Sequence, residues 1–180
     1  GVGTSFLPFR LGVKPEIAIV STLGGTSKRL VDPGAIPRWR PDGQRIGYTR
    51  YKEAGSTSGF PEFWSMKSDG SDNRREFVDS LAIPIAPGPF AWSPDGSSVV
   101  FIRYYPGRYQ ELIVYDFPNR SMRELTSSKK NIGDVEWTTR GTVVYSSNAS
   151  GNTNLWLISA SGGSPVQITK GSGPDFYPRS

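Results

Sequence analysis

Apolar runs of about four residues recur along the chain, each closed by a polar stretch that carries glycine. Ile46-Gly47-Tyr48-Thr49, Val99-Val100-Phe101-Ile102 and Val143-Val144-Tyr145-Ser146 are rich in β-branched and aromatic residues. They are too short for helices and read as buried strands. After a polar loop each is followed by a second run: Phe63-Trp64-Ser65-Met66, Leu112-Ile113-Val114-Tyr115 and Leu155-Trp156-Leu157-Ile158. A tight turn such as Ser68-Asp69-Gly70 or Ser161-Gly162-Gly163 then leads into a short outer strand, at Arg75-Glu76-Phe77-Val78, Arg123-Glu124-Leu125-Thr126 and Val166-Gln167-Ile168-Thr169. This is a hairpin signature.

Ahead of each first run stands a repeated segment: Pro37-Arg38-Trp39-Arg40-Pro41-Asp42-Gly43, Phe90-Ala91-Trp92-Ser93-Pro94-Asp95-Gly96, and Val135-Glu136-Trp137-Thr138-Thr139-Arg140-Gly141. In the first two, Pro suits the second place of a type I turn, Asp the third, and Gly the left-handed conformation that closes it. The third copy keeps only the glycine. Each unit is thus expected to be a four-stranded antiparallel meander, and units at such a period bury their faces by stacking on neighbours.

The ends complete the pattern. Ile17-Ala18-Ile19-Val20, Gly24-Gly25 and Lys28-Arg29-Leu30-Val31 match the third strand, turn and outer strand of a unit. Residues 5–11 supply a candidate second strand, and Phe176-Tyr177-Pro178-Arg179-Ser180 aligns with the inner strand around Trp39. The expected fold is an all-β propeller over residues 1–180, with blades at 35–80, 88–127 and 133–170 and a fourth split between 174–180 and 4–32. A ring closed this way leaves no open edge, and about four to eight blades is the usual range. The same phase fits part of a larger six- to eight-bladed ring, or a ring shared by two copies.

These Trp-x-Pro-Asp-Gly segments with their paired later strands resemble the WD-like repeat of TolB-type β-propellers, over nearly the whole chain. The resemblance implies a non-enzymatic scaffold for protein–protein interaction, in a periplasmic or other extracytoplasmic compartment of a bacterium. It also brings two alternatives. Related propellers gate prolyl-oligopeptidase-type hydrolases, and a propeller channel can hold a small ligand or carbohydrate. TolB resembles a six-bladed ring, whereas about four units are counted in this chain.

Composition sharpens the chemistry. The chain has no Cys and no His among its 180 residues, so it holds no disulfide, no thiolate or imidazole metal ligand, and no Ser-His-Asp or Cys-His nucleophile system. No cofactor or metal is expected, and catalysis in a larger assembly would lie on another domain or chain. The Ser-rich stretches Ser56-Thr57-Ser58 and Ser146-Ser147 then read as turns. Asp69-Gly70-Ser71-Asp72-Asn73 offers oxygens suited to a hard cation but coincides with a hairpin turn. Gly24-Gly25-Thr26-Ser27-Lys28 opens a strand rather than a helix, unlike a phosphate loop. Asn119-Arg120-Ser121 and Asn148-Ala149-Ser150 fit the short glycosylation pattern. No run reaches the roughly 18 apolar residues of a membrane span, and the first residues lack the basic region of a secretion signal.

A net charge of +5 invites a nucleic-acid reading, but basic residues are spread over every unit among acidic ones, as on a mixed surface. A protein partner is expected instead. Tyr51, Phe60, Tyr104, Tyr105, Arg108 and Tyr109 are read as belonging to long loops between second and third strands, where Tyr with Arg has the composition of an interface. The five Trp residues are expected in the packing between blades. One residue before each repeated Trp stand Arg38, Ala91 and Glu136, with Arg179 at the matching place in the split unit, and these are expected to line a channel.

Overall fold

A computed structural model of the chain describes residues 15–50, 60–82 and 88–171. Fourteen strands and no helix are found among the described residues. Strands β1 (Ile17–Ile19) and β2 (Lys28–Val31) form a two-stranded antiparallel sheet. The first full blade is β3 (Ala35–Trp39), β4 (Arg45–Arg50), β5 (Glu62–Lys67) and β6 (Arg74–Val78), paired in that order. The second is β7 (Phe90–Trp92), β8 (Ser98–Tyr105), β9 (Tyr109–Asp116) and β10 (Ser121–Glu124). The third is β11 (Ile132–Trp137), β12 (Thr142–Ser147), β13 (Asn154–Ser159) and β14 (Val166–Gln167). All pairings within the blades are antiparallel between consecutive strands, and the chain has the all-β architecture of a propeller with several blades.

The repeated turn has one geometry in all three copies. The glycine N–H donates back three residues, from Gly43 to the Arg40 carbonyl at 2.9 Å, Gly96 to Ser93 at 2.8 Å and Gly141 to Thr138 at 3.2 Å. The three glycines share φ of 68°, 69° and 73°, a region that costs other residues steric strain. The third copy therefore folds as the others do without Pro or Asp. There the Thr138 and Thr142 hydroxyls, 2.7 Å apart, tie the two ends of the turn.

Alternation along each strand sends successive side chains to opposite neighbours. In β8, Val99 and Phe101 pack with Phe63, Phe90, Trp92, Ile113 and Tyr115 in the cluster between the first two blades. Val100 and Ile102 pack with Leu112, Val135, Val143, Tyr145 and Ile158 between the second and third. A third cluster joins Ile17 and Val31 to Ile46, Tyr48 and Met66, seating β1 and β2 on the first blade. The middle blade is covered on both faces, so its strands read as continuous apolar runs.

Two expectations are corrected. Tyr104, Tyr105 and Tyr109 are not in a long loop: β8 and β9 run on until only residues 106–108 join them, with Tyr105 directly opposite Tyr109. Trp39 is not core, being 50% exposed, whereas Trp92 is buried and Trp137, Trp64 and Trp156 are packed against the clusters. Tyr51, Arg179, Ser56-Thr57-Ser58, the candidate second strand at 5–11 and the candidate closing strand at 176–180 lie outside the described residues.

Candidate functional site at the inner strands

The innermost strands β3, β7 and β11 bring matching positions of the three repeats to one place. Pro37, Arg38, Trp39 and Pro41, then Ala91, Trp92 and Pro94, then Glu136, Trp137 and Thr139 line a single open cavity of about 460 Å³. Arg38 of the first blade reaches Glu136 of the third, Nη1 to Oε2 at 4.0 Å. Ala91, the matching residue of the second blade, also lines this cavity. The Arg38 and Glu136 side chains are 44% and 25% exposed, and an ion pair this open to water contributes at most about 1 kcal/mol to stability. Its charges remain within reach of a ligand.

Around the charges the wall is stiff and apolar. Pro41 and Pro94 are fixed by the turns they open, and Trp39 presents half its surface. Trp92 is anchored by donating its indole N–H to the Arg38 carbonyl at 3.3 Å, which also fixes the backbone from which Arg38 projects. Beneath Pro94, Asp95 accepts from the Ser93 hydroxyl at 2.6 Å and the Ser97 N–H at 3.0 Å. Those bonds hold its carboxyl down at about 2 from an ordinary 3.8, so the turn stays ionised and rigid at neutral pH.

Of the channel residues read from the sequence, Arg38, Ala91 and Glu136 thus meet around this cavity. Sequence reasoning missed Trp39, Pro41, Pro94 and Thr139 as wall residues. The signal was present in their fixed offsets from the inner-strand position, which put them all on the same end of the blades.

The residues read as a partner-binding rim are distributed differently. Tyr105 and Tyr109 stack on each other, centroids 5.0 Å apart and planes 8° off parallel. The Tyr105 hydroxyl donates to Glu124 and accepts from Arg103 Nη1 at 3.1 Å. Tyr104 packs against the cluster between the second and third blades, and burial pushes its hydroxyl pKa up. Arg108 is exposed in the connection with φ of 64°, and Phe60 is 38% exposed at the start of the β5 approach. The tyrosines are largely spent inside the hairpin.

Two buried charged groups escaped sequence reasoning. Arg103 holds Asp79 through one hydrogen bond, Nε to Oδ2 at 2.8 Å, and an ion-pair contact, Nη2 to Oδ1 at 2.8 Å, while both side chains are 4% exposed. This pair joins the end of the first blade to the second. Glu111, 2% exposed, accepts from the Lys129 N–H at 2.6 Å, the Thr126 hydroxyl at 2.6 Å and the Ser128 N–H at 3.2 Å, and so holds the link between the second and third blades. No spacing rule marks either. The oxygens of the turn at 69–73 are likewise taken by the protein: Asp69 by Ser71, Asp72 by Arg45, and Asn73 by the Tyr48 hydroxyl.

No family model matches the chain. Among curated proteins it is 26% identical over 117 residues to the Tol-Pal system protein TolB of Anaeromyxobacter dehalogenans (strain 2CP-C), covering 64% of this chain and 26% of that one. It is 26% identical over 148 residues to an uncharacterized peptidase of Bacillus subtilis (strain 168), covering 80% of this chain and 20% of that one. The chain therefore spans between a fifth and about a quarter of the relatives' length. Its fold superposes on the crystal structure of TolB from Acinetobacter baumannii with a TM-score of 0.71 at 21% identity, over 88% of this chain and 38% of that one. Repeat, blade arrangement and relatives agree, at low identity and partial coverage, and the chain is a TolB-like β-propeller.

Proposed function

We propose that the chain is a non-enzymatic docking propeller that receives a protein partner at the mouth of its inner strands. The observation that carries this reading is the cavity in which Arg38 and Glu136 face each other between stiff Pro and Trp walls. A segment of a partner entering there would exchange its own charged groups with Arg38 and Glu136 and lay apolar side chains on Trp39, Pro41 and Pro94. Because the surface is preformed on stacked blades, little ordering cost opposes binding. Components of the Tol-Pal system are the first partners to test, since the TolB relatives carry that system's name, and an extracytoplasmic compartment goes with the reading. The rim with Phe60, Tyr104, Tyr105, Arg108 and Tyr109 is proposed as a secondary contact, of which Arg108 and Phe60 offer the exposed part.

Calorimetric titration of the purified chain with Tol-Pal components tests this. Binding is expected to weaken about tenfold when Arg38→Ala and Glu136→Ala are combined, the loss of one strong anchor. Binding that is unchanged by the pair, or absent with every component, overturns the proposal.

A second reading is favoured by the peptidase match, which covers more of this chain than the TolB relative does. In it the chain is the access-controlling propeller of a hydrolase. A Gly-x-Ser-x-Gly turn with a later His encoded in the same gene would select it.

A further inference from the structure

We propose that the β8–β9 and β10–β11 connections form a second docking surface, at the end of the blades opposite the inner-strand cavity, where Arg108, Lys129 and Lys130 receive an acidic segment of a protein partner. Consecutive strands of a blade are antiparallel, so the turns carrying Pro41, Pro94 and Thr139 stand at one end of the blades and residues 106–108 and 125–131 at the other. There β9 and the β10–β11 connection are bonded together. The Gln110 N–H donates to the Lys130 carbonyl at 2.9 Å, Gln110 Oε1 accepts from the Ile132 N–H at 2.9 Å, and buried Glu111 accepts from the Lys129 N–H at 2.6 Å. Arg108, two residues before Gln110, is thereby brought to the same place as both lysines. This surface rests on the secondary contact through Arg108 given above, and its test can fail while docking at the cavity stands.

The three cations are exposed, and none of them makes an ion pair among the described residues. The carboxylates described at this end are engaged elsewhere: Glu111 by the Ser128 and Lys129 N–H groups, Asp79 by Arg103, Glu124 by the Tyr105 hydroxyl, and Asp134 by the Val135 N–H. Like charges gathered without counter-ions oppose folding, and an arriving anion removes that cost. Two of the cations also stand on backbone better suited to other residues. Arg108 has φ of 64° and Lys129 of 53°, the left-handed region that Gly and Asn enter with less strain. Strain of this kind collects at functional positions. The chemistry selects the occupant. A guanidinium fork matches a carboxylate with two parallel bonds, and no large apolar side chain is exposed in these two connections to enter a bilayer. Three cations are few for a nucleic-acid track, where about six to ten phosphate contacts are common. They suit a short extended segment bearing a few Asp or Glu.

Fluorescence anisotropy of a labelled peptide of alternating Glu and Ser, titrated with the full chain, tests this. The probe is expected to bind in low salt, to weaken steeply as NaCl rises toward the physiological range, and to lose its binding when Gln replaces its Glu. Arg108→Asn, Lys129→Asn and Lys130→Ala together should weaken it about fivefold or more, each exposed pair supplying a few-fold at most. Because Asn tolerates left-handed backbone, the melting temperature of the Arg108→Asn, Lys129→Asn variant should equal or exceed that of the native chain. An equal loss of charge at the opposite end, through Lys67→Ala, Arg120→Ala and Arg140→Ala, should leave probe binding within about twofold. No binding, the same weakening in that control, or a sharp fall in the melting temperature of the Asn variant would overturn the proposal. Tighter binding of phosphatidylglycerol vesicles, or of a single-stranded oligonucleotide, than of the peptide would do the same by assigning the surface to phosphate groups.

Discussion

A close approach of buried rings between blades predicts what a single added methyl does. Gly47 in β4 sits beneath Trp92, and a Cβ there would be 2.6 Å from Trp92 Cζ2, 2.8 Å from Phe63 Cζ and 3.1 Å from Trp92 Cε2. Neither ring has room to yield, since Phe63 is 3% and Trp92 8% exposed and Phe63 is wedged edge-on against Phe90 with centroids 4.9 Å apart. Overpacking of this kind costs about 1–3 kcal/mol. Displacing Trp92 also stretches its bond to the Arg38 carbonyl, a further loss of about 1 kcal/mol. Gly47→Ala should therefore destabilise by about 2–4 kcal/mol, which for a domain of this size lowers Tm by roughly 5–15 °C. Urea unfolding followed by circular dichroism gives the number. Trp92→Phe shortens the offending ring, so in a double-mutant cycle it should recover at least half of the loss caused by Gly47→Ala. A neutral Gly47→Ala, or costs that simply add, would refute this account of how the blades meet.

Other outcomes follow from the same contacts. Asp79→Ala leaves the buried Arg103 guanidinium without its partner and should cost about 3–5 kcal/mol in chemical denaturation, whereas replacing both by apolar residues should cost much less. Glu111→Gln loses a charged acceptor for two N–H groups and a hydroxyl; about 1–3 kcal/mol of stability is expected to go with it, with faster hydrogen exchange at Ser128 and Lys129. Thr139→Pro restores in the third turn the residue found at Pro41 and Pro94, and thermal melts should show a gain of about 0.4–1 kcal/mol. Asp95, held at about 2 by Ser93 and Ser97, binds its proton more readily unfolded than folded. Its contribution is therefore present above about pH 4 and lost as pH falls toward 2, and Asp95→Asn should flatten that part of the stability–pH curve.

The repeat made the blades readable because each turn and strand is specified locally. In the third turn Gly141 keeps the left-handed residue while the Thr138 and Thr142 hydroxyls tie its ends in place of Pro and Asp. The extent of β8 and β9 was not readable: Pro106-Gly107-Arg108 looks like the middle of a loop, and only the pairing of Arg103 with Glu111 and Tyr104 with Gln110 carries the hairpin to its tip. Burial of Trp39 could not be inferred from its own segment, because a blade residue is covered by the preceding blade. That Arg38, Ala91 and Glu136 come to one place was legible because one repeat offset relates them all. Arg103 with Asp79 was missed because its two halves lie 24 residues apart in different units, with no periodic relation between them.

The docking claim is tested most directly by mapping a bound partner's footprint with backbone amide NMR shifts on the chain. Perturbations concentrated at residues 38–40, 91–93 and 136–141, the inner-strand ends from three separate repeats, are the predicted result. A footprint confined to the outer strands β6, β10 and β14, leaving those three segments unchanged, would contradict it.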